Sequence, residues 1–455
     1  MFKALSLLLA AVMFLPASST VISNDPPDTE ITAPYYIVVD ADDPSIVYYE
    51  RDPDEHCIPA STMKIMTCIL TLEHVEDLSE TTVVTKQAAN LKDSNSLMGM
   101  FYGETLTIDQ LLHGLMLVSG NDAALMLANY IAGSVADYTD MANAKAAELG
   151  MTNTHFLNAS GAYRSGQYST ARDMATLMSY ALKNERFREL ISTVKYTIEP
   201  NDVRKRADEL ENSNRLISDD PETSDVYCPL AIGGKTGSTV NGGKCLVAAG
   251  ALDGARVIVV LIGADDPNSY DMHRRMPHVF ANAKFLIEYT LENDYTPITP
   301  SALGFTYTAE AKASDTGVSF PISAQFGDDA LTRLPNTLAD QLIADPSLLE
   351  VNTALNAELT NVAAGDVVGS ISCAFAGRDL FAGDLVAAAD ATATPAPTMV
   401  ALPVETPAPE ATSTLDGILT KADAGVYLFA GLSALLLINL IVITVIIVKR
   451  KAKGR

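Results

Sequence analysis

The stretch Pro59-Ala60-Ser61-Thr62-Met63-Lys64-Ile65-Met66-Thr67 decides how this chain reads. Pro59 and Ala60 lead into a helix candidate over 61–72, with apolar Ile65, Met66, Ile69 and Leu72 on one face. Ser61 would open that helix, its hydroxyl and backbone N–H at the open N-terminus. Lys64 follows one turn later on the same face, within reach of the serine proton. A serine hydroxyl is a poor nucleophile until a base is held beside it. A lysine can be that base if desolvation and a neighbouring positive charge depress its pKa. Standing alone, the pair reads first as an N-cap followed by a surface lysine.

Two further motifs follow in order, Ser119-Gly120-Asn121 and Lys235-Thr236-Gly237. Lys235 is a candidate for the neighbouring charge. Ser192-Thr193-Val194-Lys195 repeats the S-x-x-K spacing, but it lies after Ser119 and lacks the Pro-Ala lead. The order S-x-x-K, S-x-N, K-T-G is the signature of penicillin-binding proteins and class A β-lactamases. The longer phrases resemble the D-alanyl-D-alanine carboxypeptidases, the low-molecular-mass penicillin-binding proteins of serine peptidase family S11. Those phrases are the one quoted above, Ser119-Gly120-Asn121-Asp122-Ala123-Ala124 and Asn158-Ala159-Ser160-Gly161. Tyr168-Ser169-Thr170-Ala171-Arg172-Asp173-Met174 and Gly234-Lys235-Thr236-Gly237-Ser238-Thr239 complete them. The resemblance covers most of 33–296. It extends weakly into 297–388, where Gly365-Asp366-Val367-Val368-Gly369 is similar to a β-rich module of that family.

The resemblance implies an α/β catalytic domain of the β-lactamase/transpeptidase-like type, an antiparallel sheet flanked by helices, followed by a small β-rich C-terminal domain. It implies that Ser61 attacks the peptide carbonyl between two terminal D-alanines while Lys64 acts as general base. Ser119 would relay the proton to the departing D-Ala, and Asn121 would orient Lys64 and the substrate. Lys235 and Thr236 would bind the terminal carboxylate, and Gly237 would let the substrate approach the strand closely. The backbone N–H groups of Ser61 and Ser238 would form the oxyanion hole. Peptidoglycan stem peptides ending in D-Ala-D-Ala are the implied partners, and β-lactams would acylate the same serine. No cofactor is implied. Family members often carry a basic residue soon after the strands that follow K-T-G, where this chain has Gly263-Ala264-Asp265-Asp266; Arg274 or Arg275 is the candidate substitute.

Other readings of the same site are a β-lactamase, a DD-endopeptidase and a catalytically dead wall-binding protein. Gly120 in place of the Asp of S-D-N, and the lack of an E-x-x-L-N phrase, argue against a class A β-lactamase. Gly233-Gly234-Lys235-Thr236 is not a Walker A end, because Pro229 stands where its first glycine belongs.

The ends of the chain place this chemistry. Residues 1–19 have Lys3, an apolar stretch and then Pro16-Ala17-Ser18-Ser19, the order of a secretory signal. Residues 424–448 are uncharged and long enough to span a bilayer, and Lys449, Arg450, Lys451, Lys453 and Arg455 follow at once. The expectation is a single-pass protein of the cell membrane with its catalytic domain extracytoplasmic. Between these ends the chain divides into a linker (20–32), the catalytic domain (33–296), the β-rich domain (297–388), and a Pro/Ala/Thr-rich stalk (389–423). The transmembrane helix (424–448) and a basic cytoplasmic tail (449–455) complete it. Within the catalytic region, Tyr35–Asp40 and 46–50 predict a hairpin, Thr107 predicts a helix cap before Leu111, Leu112, Leu115 and Met116, and 245–252 with 256–262 predict paired strands around Asp253-Gly254. In the later region, 305–308, 318–322 and 367–372 read as strands.

Composition excludes other classes. The 455 residues hold 31 Lys+Arg against 56 Asp+Glu, a formal charge of −25, which argues against nucleic acid as a partner. The mean hydropathy of +0.15 is high for so acidic a chain, and the two terminal segments account for much of it. Five cysteines leave at least one unpaired among themselves, and neither C-x-x-C nor H-E-x-x-H occurs, so a metal site has no support. Asp40, Asp42 and Asp43 lack EF-hand spacing and read as a solvated turn.

Overall fold

Tyr35–Asp40 and Ile46–Arg51 form the expected antiparallel pair, and the turn between them is closed by Asp40, whose carboxylate accepts the N–H groups of Asp42 and Asp43. In the computed structural model, residues 20–21, 26, 31–91, 96–220, 225–264 and 278–391 are described. The strand pair belongs to a six-stranded sheet. Its order is Thr20–Val21, Ile46–Arg51, Tyr35–Asp40, Ala255–Ala264, Gly243–Leu252 and Ala231–Thr239. All neighbours are antiparallel except the first pair, which is parallel. Asp253 and Gly254 both take positive φ, the requirement of the two-residue turn between the last two hairpin strands.

Alternation along the strands builds two cores. Ile37, Val39, Val247, Ala249, Ile258 and Val260 face one way, against helices Lys64–His74, Ile108–Met116, Asn121–Ala132 and Ala171–Ala181. Tyr36, Val38, Leu246, Ala248, Val257 and Val259 face the other way, against helix His278–Asn293. A sheet covered on both faces needs continuous apolar runs, which explains the unbroken Val257-Ile258-Val259-Val260-Leu261-Ile262. The K-T-G strand Ala231–Thr239 is at the sheet's edge, so its outer side is open to a ligand.

Some sequence expectations change here. The helix over 61–72 is a 3-10 turn, Ala60–Met63, running into an α-helix, Lys64–His74. It is buried on nearly every side rather than one, because every residue from Lys64 to Thr71 is covered. Thr107 does cap its helix, and in a full capping box: its side chain accepts from Gln110 N–H while the Gln110 side chain accepts from Thr107 N–H. All five cysteines are free and buried.

The later residues form a five-stranded antiparallel sheet in the order Thr308–Lys312, Ser319–Gln325, Arg378–Ala387, Val367–Phe375, Glu350–Leu355. The run 305–308 is not a strand: pairing begins only at Thr308, and Phe305 instead packs edge-on against Phe326 at 6.0 Å. A helix, Asn336–Ala344, buries Ala339 and Leu342 in this otherwise β region. Strand Tyr295–Ile298 pairs with Thr332–Pro335 and so runs across residue 296. Among the described residues, no helix is long and apolar enough to cross a membrane. The segments 1–19, 424–448 and 449–455, nearly all of the stalk 389–423, and Asp265, Asp266, Arg274 and Arg275 lie outside the described residues, as does most of the linker 20–32.

Candidate active site

Ser61 is set by a strained turn. Ala60 holds φ at +53° although it is no glycine, and Thr62 Oγ1 donates to Pro59 O at 2.7 Å to close the turn. Such a conformation costs about 1–3 kcal/mol and survives only where its surroundings enforce it. The enforcing contact comes from Gly161, where an added Cβ would meet Ala60 O at 1.9 Å. Loop 158–162 therefore sits directly against the serine's turn. Asn158 shapes that loop: its Oδ1 accepts from Ser160 N–H (3.0 Å) and Gly161 N–H (2.8 Å), while its Nδ2 donates to Ala162 O (2.9 Å). Thr67 Oγ1 ties the nucleophile helix to the same loop through Ala159 O at 2.6 Å.

Lys64 is completely buried, and its Nζ has three neighbours: Ser61 Oγ at 2.9 Å, Asn121 Oδ1 at 2.7 Å and Ser160 O at 2.7 Å. Burial lowers its pKa well below the ordinary lysine value; the charge of Lys235 lowers it further, and Asp122 opposes this weakly. The arrangement suits a neutral amine. Its two N–H groups then donate to Asn121 Oδ1 and Ser160 O, leaving the lone pair for the Ser61 hydroxyl proton.

Ser119 also has a left-handed backbone, φ +60°, and its buried Oγ has no hydrogen-bond partner among the described residues. Gly120 is closely surrounded, since a Cβ would come within 2.8 Å of Asp122 Oδ1 and 3.1 Å of Gly114 O. Asn121 opens its helix, and its N–H donates to Ser96 O at 2.9 Å. Asp122 accepts from the N–H groups of Met98 (2.8 Å) and Gly99 (3.0 Å), which fastens segment 96–100 beside the S-x-N turn.

On the edge strand, Lys235 is fully buried and its Nζ lies 3.1 Å from Thr236 O. Burial pushes its pKa down to about 7. Thr236 Oγ1 is 2.6 Å from Ser213 Oγ, a residue that no sequence motif singled out. Gly237 has a different reason for lacking a side chain than the expected approach of substrate. A Cβ there would meet Pro59 O at 2.9 Å and Ala60 Cβ at 3.2 Å, so the glycine lets the K-T-G strand close on the serine's turn. Ser238 is exposed beside it.

These groups converge on one cleft of about 230 Å³, lined by Ser61, Ser119, Ser213, Thr236, Gly237 and Ser238 among others. Lys64, Asn121 and Lys235 stand immediately behind it. The structure thus brings together all eight residues singled out from sequence. The decoy pair stays apart from them: Ser192 Oγ donates to Glu189 O, and Lys195 pairs with Glu209 in solvent. Sequence reasoning missed the Ser160 carbonyl and Ser213. The first carries no side-chain signal, although its Asn-Ala-Ser-Gly phrase does, and the second lies in Asn212-Ser213-Asn214 with no motif around it.

Residues 20–266 match the family model for D-alanyl-D-alanine carboxypeptidase, peptidase S11. The chain is similar to D-alanyl-D-alanine carboxypeptidase DacF of Bacillus subtilis, 33% identical over 225 residues; this takes in 49% of the chain but only 55% of that relative. It is similar also to D-alanyl-D-alanine carboxypeptidase DacB2 of Mycobacterium tuberculosis, 34% identical over 249 residues, covering 54% of the chain and 78% of the relative. The crystal structure of penicillin binding protein 5 from Haemophilus influenzae shares the fold, with TM-score 0.51 at 23% identity over 81% of this chain and 99% of that one. With the serine, the buried lysine and the K-T-G strand meeting in one cleft, and the family model matching more than half its length, the chain belongs to the D-alanyl-D-alanine carboxypeptidase family, peptidase S11.

Proposed function

We propose that this chain is a serine-type D-Ala-D-Ala carboxypeptidase that removes the terminal D-alanine from peptidoglycan stem peptides. The observation that carries the reading is the buried Lys64 amine, 2.9 Å from Ser61 Oγ and anchored by two acceptors that leave its lone pair for the serine proton. Ser61 Oγ attacks the carbonyl of the penultimate D-Ala as its proton passes to Lys64 Nζ. The carbonyl oxygen becomes an oxyanion, and the Ser61 and Ser238 backbone N–H groups stabilise it. The C–N bond then breaks. The leaving amine takes a proton from Lys64 through Ser119 Oγ, which has no hydrogen-bond partner among the described residues and so can bridge the two. Free D-Ala departs, and water hydrolyses the serine ester with Lys64 again as base. Thr236, paired with Ser213, and Lys235 hold the terminal carboxylate. β-Lactams present a similar carbonyl and carboxylate and acylate the same serine.

The termini belong to the same proposal. The signal-like order of 1–19, the uncharged segment 424–448 and the basic residues after it support an exported, single-pass membrane protein with its catalytic domain outside.

The test is D-alanine release from a pentapeptide ending in D-Ala-D-Ala. The wild-type chain should release one D-Ala per peptide; Ser61→Ala and Lys64→Ala should lose at least about a thousandfold in rate. No release by a chain that still binds penicillin at Ser61 would defeat the carboxypeptidase reading, and rapid penicillin turnover would point to a β-lactamase.

A further inference from the structure

We propose that Lys244 is a second cation for the substrate's terminal carboxylate. This rests on the proposed carboxypeptidase reading and deepens it. Lys244 lines the same cleft as Ser61, Ser213, Thr236 and Ser238. It lies on strand Gly243–Leu252, where it stands directly opposite Ser238, with Leu246 opposite Thr236. Paired residues in an antiparallel ladder point to the same face, and so do residues two apart on one strand. Thr236, Ser238 and Lys244 therefore share one face of the sheet, and Lys235 projects from the other. Direct cross-strand neighbours are about 4.5–5.5 Å apart at Cβ and diagonal ones about 7–8 Å, which the four-carbon stem of a lysine spans.

The charge pattern points the same way. Acidic residues outnumber basic ones in this chain, and several covered cations are matched by them: Arg172 with Glu50, Arg204 with Glu104, Arg378 with Asp40. Lys244 is half-buried, yet its ammonium has no hydrogen-bond or ion-pair partner among the described residues. Lys235 is a weaker anchor than an ordinary lysine, because burial pushes its pKa down to about 7 and so leaves it only partly charged near pH 7. A carboxylate offers two oxygens. The Thr236–Ser213 hydroxyl pair serves one, and Lys244 approaches the other from the neighbouring strand on the same face.

The experiment compares full-length wild type, Lys244→Gln and Lys244→Arg on two ligand pairs. These are an acyl-D-Ala-D-Ala peptide with its C-terminal amide, and benzylpenicillin with its methyl ester. Wild type should prefer the free carboxylate in both pairs. Lys244→Gln should lose about tenfold of that preference, with the peptide's KM rising and kcat nearly unchanged, and Lys244→Arg should keep most of it. An unchanged preference in Lys244→Gln would overturn the proposal, as would an equal fall for charged and neutral ligands, the mark of a merely structural role. If wild type is acylated by penicillin but releases no D-Ala, the carboxypeptidase reading fails and the penicillin pair alone decides Lys244. If it reacts with neither, both readings fall.

Discussion

At the scale of single residues, the proposed reaction requires one lysine to stay neutral beside another that has to carry charge. Lys64 must be deprotonated to accept the Ser61 proton, so kcat/KM should rise with pH through its depressed pKa. Lys235 must be protonated to hold a carboxylate, so kcat/KM should fall as pH passes its value of about 7. In kcat the falling limb should move to higher pH, because the bound carboxylate keeps Lys235 charged. A kcat/KM profile still rising at pH 10 would contradict this division of roles. The same burial costs stability. Lys235 binds its proton less tightly folded, at about 7, than unfolded, at 10.5, so the unfolded state holds the extra proton between those values and stability should rise with pH across that window. Lys235→Met should therefore stabilise the chain at pH 7 by ~2–4 kcal/mol in thermal melts while cutting penicillin acylation by at least about a hundredfold. The side chains of this site were legible in the sequence because each lies in a short motif whose order is specific. The Ser160 carbonyl was not, since a backbone group has no letter of its own. Ser213 was not, because a serine that works by pairing with Thr236 looks like any other serine.

At the scale of elements, the strain at Ala60 is held by a loop almost a hundred residues away in sequence. Gly161 touches Ala60 O, and the same loop supplies Ser160 O to Lys64. Gly161→Ala should thus act twice, since its φ of +74° disfavours a Cβ and the added atom would clash with backbone. A loss of roughly 2–4 kcal/mol in denaturant unfolding is expected, together with slower acylation of the molecules that stay folded. Acylation at the wild-type rate would show that the loop does not position the serine. Hairpins and the Thr107 cap were readable because alternation, turn residues and caps are local signals, whereas the reciprocal Gln110 bond of its capping box was not read. The nucleophile helix was read as one-sided and is covered all round, because sequence periodicity cannot report a polar residue such as Lys64 or Thr67 that is buried for function. Helix Asn336–Ala344 was missed in a β-rich region, where only Ala339 and Leu342 turn inward and no side-chain cap announces the start.

At the scale of the molecule, the two sheets are joined by a buried ionic seam. The Asp40 carboxylate is fully buried; it receives the Arg378 guanidinium from the second sheet and the Tyr295 hydroxyl at 2.7 Å. Removing one partner strands the other in a covered site, so Asp40→Asn should cost about 3–5 kcal/mol and lower the melting temperature. Pairing it with Arg378→Met should recover part of that loss, whereas purely additive losses would mean that the two do not interact. Neither Asp40 contact was readable from sequence, because Asp40 looks there like one more acid of a solvated turn. The charge of −25 is also clearer at this scale. Acids sequester arginines along the body and the seam, while Lys64, Lys235 and Lys244 are kept from them at the cleft. The decisive species is the acyl ester proposed on Ser61. Rapid quenching of the chain with an acyl-D-Ala-D-Ala peptide, followed by mass-spectrometric peptide mapping, should find the acyl group on Ser61, with none in Ser61→Ala. An adduct on any other residue, Ser192 included, or D-Ala release that persists in Ser61→Ala, would contradict it.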